Sequence, residues 1–369
     1  MFKIEMLPAY EGDSLWVEYG DGTETRRLAI DAGRKNTYRE LQQRIEAAGA
    51  PLELFVMTHI DDDHIFGAIP LLSDGRISAA SIKDVWYNGF THLDPAVAMR
   101  PAQDLLGPKN GEIFSGLLLQ GGFAWNEAWD QGATIVVPKH GSLPRRTLDG
   151  GLTLTLLSPA WTQLEALRAF WIRELEDMEP GDAAAALELF AERSSLQPDV
   201  PSDLLGALDV EDLVDQTFES DTKEPNGSSI ALLAEFDGKS ILLTGDAHPP
   251  VLESSIRRLL AERGESLLRL DACKVSHHGS AHNTSPGLLE LLDCRRFLIS
   301  TNGSRHHHPD REAVARIIHR YHDRLDPTEL YFNYRSDENE VWDDDDLRTE
   351  WNYRTLYPPA GQTLDLAQP

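Results

Sequence analysis

Two cysteines in a chain of 369 residues, Cys273 and Cys294, are too few for a disulfide framework, and a reducing compartment suits such a chain. No apolar run is long enough to span a bilayer, so no integral helical membrane protein is expected. The first residues, Met1-Phe2-Lys3-Ile4-Glu5-Met6, lack the charged start, apolar run and small-residue cleavage site of a secretion signal. The expectation is a cytoplasmic protein with no membrane partner. Basic residues are scarce as well: 34 Lys and Arg stand against 61 Asp and Glu, for a formal net charge of −27. A broad nucleic-acid footprint needs a basic face, and this balance argues against one. It leaves room for a local groove or a metal-centred phosphate site. The hydrophobic content of 41% is enough to build a core for one large domain or two small ones.

Against that background, one polar stretch stands out: Thr58-His59-Ile60-Asp61-Asp62-Asp63-His64. The apolar run Leu52 to Met57 before it reads as a buried strand, and Ile65 to Leu72 after it reads as the first turns of a helix. His59, Asp61, Asp63 and His64 therefore sit where a strand ends and a helix begins, on a loop held by rigid elements. Imidazole and carboxylate together suit zinc, manganese or iron. The plainer alternative is a polar loop with Asp63 as the helix N-cap.

Further along, three more strands end in polar groups before a helix. Ser240 to Thr244 ends in Gly245-Asp246, and Leu270 to Ser276 ends in His277-His278-Gly279-Ser280. Arg296 to Ser300 leads into a turn with His306, His307 and His308. Strand ends in one sheet converge on one edge, so these groups can reach the His59–His64 loop. A carboxylate such as Asp246 can bridge two cations, with an imidazole completing the second site. Neighbours on a strand end point apart, which favours His277 as a ligand and His278 as a pocket residue. The histidines at 306–308 also read as a hydrophilic turn, and Cys273 reads as core.

The remaining chain divides as follows. Residues 1–33 read as a β-meander, Tyr38 to Ala48 as a helix, and 94–131 as amphipathic helix. Ile135 to Val137 and Leu152 to Leu157 read as strands. Residues 160–224 are acidic, Pro-punctuated and helical, an insertion read as solvated decoration or as a lid or protein-partner surface. Ser228 to Phe236 and Ser240 to Thr244 form a hairpin around Asp237-Gly238. Glu329 to Asn333 is a strand, and the rest is a polar tail or short hairpin. The expected organisation is a first half over 1–159, the insertion 160–224, a second half over 225–333, and a C-terminal tail over 334–369.

The order His-x-Asp-x-Asp-His at 59–64 resembles the metal-binding motif of the metallo-β-lactamase fold, usually His-x-His-x-Asp-His. The Asp-containing form is similar to the ComEC-type branch, the hydrolase domain of DNA-uptake proteins and its soluble relatives. Asp31, Gly245-Asp246 and His277-His278-Gly279-Ser280 resemble other motifs of the family. Asn226-Gly227-Ser228-Ser229, Asn283-Thr284-Ser285 and His308-Pro309 resemble the branch.

The resemblance implies an α/β fold, a four-layered αββα sandwich with metals at one edge and a helical insertion. It implies two divalent ions, zinc or manganese, on His59, Asp61, Asp63, His64, Asp246 and His277, with Asp31 orienting a ligand histidine. Asp61 in place of His hardens the first site toward manganese. No histidine stands at the family's third motif. His92 and His140 are the nearby candidates, and both are expected on loops without a ligand role. The implied activity is hydrolysis of phosphodiesters by metal-activated water, on nucleic acid or a nucleotide. Asp63 would orient the hydroxide, and His278 or His308 would stabilise charge or protonate the leaving group. Two alternatives stand beside it. One is a hydrolase of small esters, amides or thioesters, which the acidic surface favours. The other is a catalytically weak metal-binding protein that docks a partner through 160–224.

Overall fold

The computed structural model describes residues 1–93, 109–130, 132–174 and 208–367. β1 (Phe2–Met6), β2 (Leu15–Tyr19) and β3 (Arg26–Ile30) form the antiparallel meander expected at the start of the chain. Successive residues of a strand point to opposite faces. Thus Leu15, Val17, Leu28 and Ile30 join one core, while Trp16 and Ala29 join another. β4 (Leu54–Val56) and β5 (Val85–Trp86) extend the sheet in parallel. Parallel neighbours need crossovers, supplied here by the helices Tyr38–Ala47, Asp62–Ile65 and Ala68–Ser73.

In the second sheet, β6 (Arg145–Thr147), β7 (Thr153–Ser158), β8 (Ala231–Phe236) and β9 (Lys239–Leu243) are antiparallel neighbours. Asp237 and Gly238 turn the β8–β9 hairpin with φ of 50° and 73°, as the Asp-Gly pair predicts. After the helix Pro249–Arg263 come β10 (Leu268–Leu270), β11 (Ala272–Lys274), β12 (Leu292–Cys294) and β13 (Arg296–Ile299). β10 and β12 pair as a small ribbon, while β11 and β13 run parallel to β9. β14 (Thr328–Phe332) and β15 (Tyr353–Leu356) continue the sheet in parallel.

The inner faces of the two sheets share one core, which also takes in Leu252 and Ile256 of helix Pro249–Arg263 and Val314 and Ile317 of helix Arg311–Tyr321. The outer face of the first sheet packs Phe55 and Val85 against Leu41, Ile69, Phe114 and Leu164 of its covering helices. These layers are the αββα sandwich expected from the metallo-β-lactamase resemblance. Among the described residues, no helix is long and apolar enough to cross a membrane.

Several expectations need correction. Residues 334–369 are not a tail: β15 extends the second sheet, and β16 (Thr363–Asp365) pairs antiparallel with β1. Both strands are too short to announce themselves by alternation and gain their partners from exposed sheet edges. The half over 1–159 is not one structural unit, because β6 and β7 belong to the second sheet beside β8. Ile135 to Val137 makes a single bridge, Val137 to Ala160, and Pro138 lacks the donor that would continue a ladder. The 160–224 stretch joins β7 to β8. Its first helix, Trp161–Arg173, is no solvated decoration, since Leu164, Leu167 and Trp171 are buried. Its later helix, Val210–Val214, buries Val210. Residues 94–108 and 175–207, parts of the helical stretches expected at 94–131 and 160–224, lie outside the described residues.

Candidate metal centre

Parallel pairing brings the C-terminal ends of β3 and β4, and of β9, β11 and β13, to common edges. The sheets meet there, where Ile230 N–H donates to the Thr58 carbonyl at 3.0 Å; within the second sheet, His277 N–H donates to the Gly245 carbonyl at 3.1 Å. Gly12 presses its backbone against this edge, where a Cβ would lie 1.8 Å from the Asp63 carbonyl oxygen. The side chains of His59, His64, Asp246 and His278 are 2% exposed or less.

The Nδ1 atom of each of these imidazoles, and of His277, has a partner. His59 Nδ1 lies 3.0 Å from Thr58 Oγ and 3.1 Å from Ser229 Oγ. The Thr58 hydroxyl spends its own proton on Asp31 Oδ2, so it accepts from the ring. His64 Nδ1 donates to Asp31 Oδ2 at 2.7 Å, the orienting bond implied for Asp31. His277 Nδ1 donates to Asn283 Oδ1, and His278 Nδ1 to the Ser300 carbonyl, each at 2.9 Å. A neutral ring protonated at Nδ1 offers a lone pair at Nε2. The Nε2 atoms of His59, His64, His277 and His278 lie 3.7, 3.4, 3.6 and 3.9 Å from the Asp246 carboxylate. Those of His64 and His278 are 3.2 Å apart. His59 Nε2 and Asp246 Oδ1 are buried with no hydrogen-bond partner. Facing lone pairs and an orphaned carboxylate oxygen are costly to bury unless a cation lies among them. His59, His64 and Asp246 place ligand atoms within 4.8 Å of one another, as do Asp13, His64 and His278. This donor set, with each ring anchored through its other nitrogen, fits divalent cations.

The electrostatics express the same demand for positive charge. Burial alone would raise the Asp246 carboxyl, but His64, His277 and His278 hold it well below the usual range. Burial would likewise raise Asp63, which His278 and His64 hold well down. Burial opposes protonation of His64, yet Asp246 and Asp31 push it well above its ordinary value. For His278, Asp13 and Asp246 outweigh burial and raise it to about 9. His59 is lowered to about 3 by burial and by His64. Asp61 is pushed up to about 7 by desolvation beside the Asp63 and Asp246 carboxylates.

Of the predicted site residues, His59, His64, His277 and His278 gather around Asp246. His59 Nε2 also lies 3.8 Å from Asp61, and Asp63 lies 3.4 Å from His278 Nε2. Asp61, not Asp63, occupies the N-cap of helix Asp62–Ile65, and its side chain caps nothing. His277 and His278 do not point apart. Both adopt left-handed backbone, φ 47° and 55°, so the alternation of a strand has ended and both rings reach one carboxylate. His308 stands behind His277, with ring centroids 5.3 Å apart and its Nδ1 bonded to Asp310. His92 packs edge-on against Trp125, and His140 is exposed; neither belongs to the grouped ligand atoms.

Sequence reasoning missed Asp13, whose carboxylate pairs with Lys274 at 2.8 Å and lies 3.5 Å from His278 Nδ1. The signal was Lys274 itself: a lysine inside an apolar strand needs a buried partner. Asp221 gave no such signal, while Asn226 and Asn283, which with it surround His277 Nδ1, stood out only as parts of the stretches that resemble the branch.

Comparison with known proteins adds little. No family model matches the chain, and no curated protein matches it. Among solved structures, the metallo-β-lactamase fold protein YhfI from Bacillus subtilis aligns over 99% of this chain and 100% of that chain, with 8% identity and a TM-score of 0.38. A likeness that remote says nothing of activity.

Proposed function

We propose that the chain is a metal-dependent hydrolase of phosphodiester bonds. The observation that carries this reading is the convergence of four imidazole Nε2 atoms on the buried Asp246 carboxylate. Asp246 would contribute a carboxylate ligand at both cation sites. His59, Asp61 and His277 are assigned to one, His277 standing in for the missing third-motif histidine. Asp63, His64 and His278 are assigned to the other. Zinc or manganese suits the mixed donors, and Asp61 favours manganese. When bound, such ions supply Lewis-acid chemistry and make hydroxide available near neutral pH. Asp63 stays ionised and orients the attacking water by accepting its hydrogen bond. His308, held by Asp310 at 3.0 Å, is assigned the leaving-group oxygen. The resemblance of the motifs to the ComEC-type branch supports a phosphodiester over a small ester.

The test combines elemental analysis of natively purified protein with turnover of bis(p-nitrophenyl) phosphate, single-stranded DNA and p-nitrophenyl acetate. We expect about two divalent ions per chain. We also expect phosphodiester turnover that chelation abolishes and manganese or zinc restores. Protein without metal, and not stabilised by either ion, would sink the reading. Turnover of the acetate alone would replace the phosphodiester with a small ester.

A further inference from the structure

We infer that Asp221 positions His277 by fixing the orientation of the Asn283 amide, and so sets which ring nitrogen of His277 carries the proton. This rests on the metal-centre reading above. Asp221 Oδ2 accepts from Asn226 Nδ2 at 2.7 Å and from Asn283 Nδ2 at 3.1 Å, while its Oδ1 accepts from Lys223 N–H at 2.9 Å. The Asp246 carbonyl accepts from the same Asn283 nitrogen at 3.1 Å. Both acceptors hold the amide with Oδ1 toward His277 Nδ1, 2.9 Å away. A carboxylate can only accept, so Asp221 has no way to tolerate the reversed amide. With Oδ1 facing the ring, Nδ1 must carry the proton and Nε2 keeps its lone pair toward Asp246, at 3.6 Å.

Asn226 reports the same pull. Its Nδ2 lies 3.4 Å from His277 Nδ1, yet bonds Asp221, and its own Oδ1 is left buried with no partner. Were the Asn283 amide free to turn, its NH2 group would meet Nδ1, and the ring proton would move to Nε2. The ring would then point a donor at the place a cation needs a lone pair.

Asp221 is itself held independently of the site. Its N–H donates to the His282 carbonyl at 3.0 Å, and His282 Nδ1 bonds the Glu219 carbonyl at 2.8 Å. Just upstream, Phe218 lies under the Arg316 guanidinium, 5.4 Å from ring centre to charge. The segment that returns from the 160–224 insertion to β8 therefore contributes a positioning residue to the centre, and its anchors do not depend on the Asp221 charge.

Asp221→Asn tests the assignment, with Phe218→Ala as a variant that loosens the same segment without touching the amides. Three quantities are read: the melting temperature of metal-free protein, zinc affinity by chelator competition, and the ring-nitrogen spectrum of 15N-histidine-labelled metal-free protein. For Asp221→Asn we expect zinc affinity to fall about 10- to 100-fold. One histidine should also shift from Nδ1–H toward Nε2–H. Phe218→Ala should lower the melting temperature and leave the ring spectrum alone. Should Asp221→Asn not fold, Asp221→Ala is read the same way. Wild-type affinity with an unchanged spectrum overturns the inference, and so does an equal spectral change in Phe218→Ala. A wild type that binds no zinc removes the metal-centre reading instead, while the spectrum still decides whether Asp221 sets the ring.

Discussion

At the scale of a residue, the structure changes what Asp63 is. The sequence presents it as an exposed loop carboxylate whose loss costs at most a helix cap. In the fold it is 8% exposed, it does not cap the helix, and it faces His278 Nε2 at 3.4 Å. Asp63→Ala therefore removes a buried charge-assisted contact, worth about 1–3 kcal/mol to the metal-free protein. Relief of repulsion with Asp61 and Asp246 offsets part of that cost. The same change removes an assigned ligand. Turnover should fall by more than the roughly 100-fold associated with losing an outer partner of a ligand. Melting temperature and phosphodiester turnover, each with and without metal, check both numbers. A variant that melts a few degrees lower but turns over normally would place the chemistry elsewhere.

At the scale of elements, the centre depends on parallel strands staying in register, and Glu329 is one residue that ties them. It sits on β14, 5% exposed. It accepts from Arg295 at 2.8 Å and Arg296 at 3.2 Å beside β13, and pairs with Arg354 of β15 at 2.6 Å. Burial would raise its carboxyl, but Arg295 and Arg354 outweigh burial and hold it below the ordinary 4.5. A carboxyl with a lowered folded pKa contributes stability that is fully present above the unfolded value. That stability is lost as pH falls through the folded value. Glu329→Gln should cost about 1–3 kcal/mol at neutral pH, since its arginine partners are partly solvated. The gap between wild type and variant should close as pH falls below about 4.5. Melting curves across that range check the sign; a gap that widens in acid would contradict it.

At the scale of the whole molecule, the two ends of the chain close one sheet together. β16 pairs with β1, Leu366 N–H donates to the Phe2 carbonyl at 2.8 Å, and Leu364 and Leu366 are 6% and 0% exposed. Burying two leucines stabilises by about 3–6 kcal/mol before chain entropy is charged. That is comparable to a modest domain's entire stability of about 5–15 kcal/mol. A chain ending at residue 357 should therefore melt far lower than wild type, or aggregate through the bared edge of β1. Thermal melts and size-exclusion profiles of the two chains check this. Equal melting temperatures would mean that the last strand is ornamental.

Much of this was written locally. The strand before His59, the Asp237-Gly238 hairpin and the polar ends of β9, β11 and β13 follow from periodicity and turn chemistry within a few residues. The sequence by itself therefore determined which strand ends carry imidazole and carboxylate; the parallel pairing that brings them to one edge is tertiary. What only the tertiary structure decided lies between residues far apart in the chain. Asp13 was found by the buried Lys274 it neutralises, and Asp221 by the amides it turns. Left-handed backbone at His277 and His278 sends both rings to Asp246, which no alternation rule foresees. Short strands such as β16 exist because an open sheet edge offers their backbone groups partners. Local pattern records how a segment can fold and which way it faces. It does not record which distant group will share its burial, because desolvation and hydrogen-bond pairing act on neighbours in space.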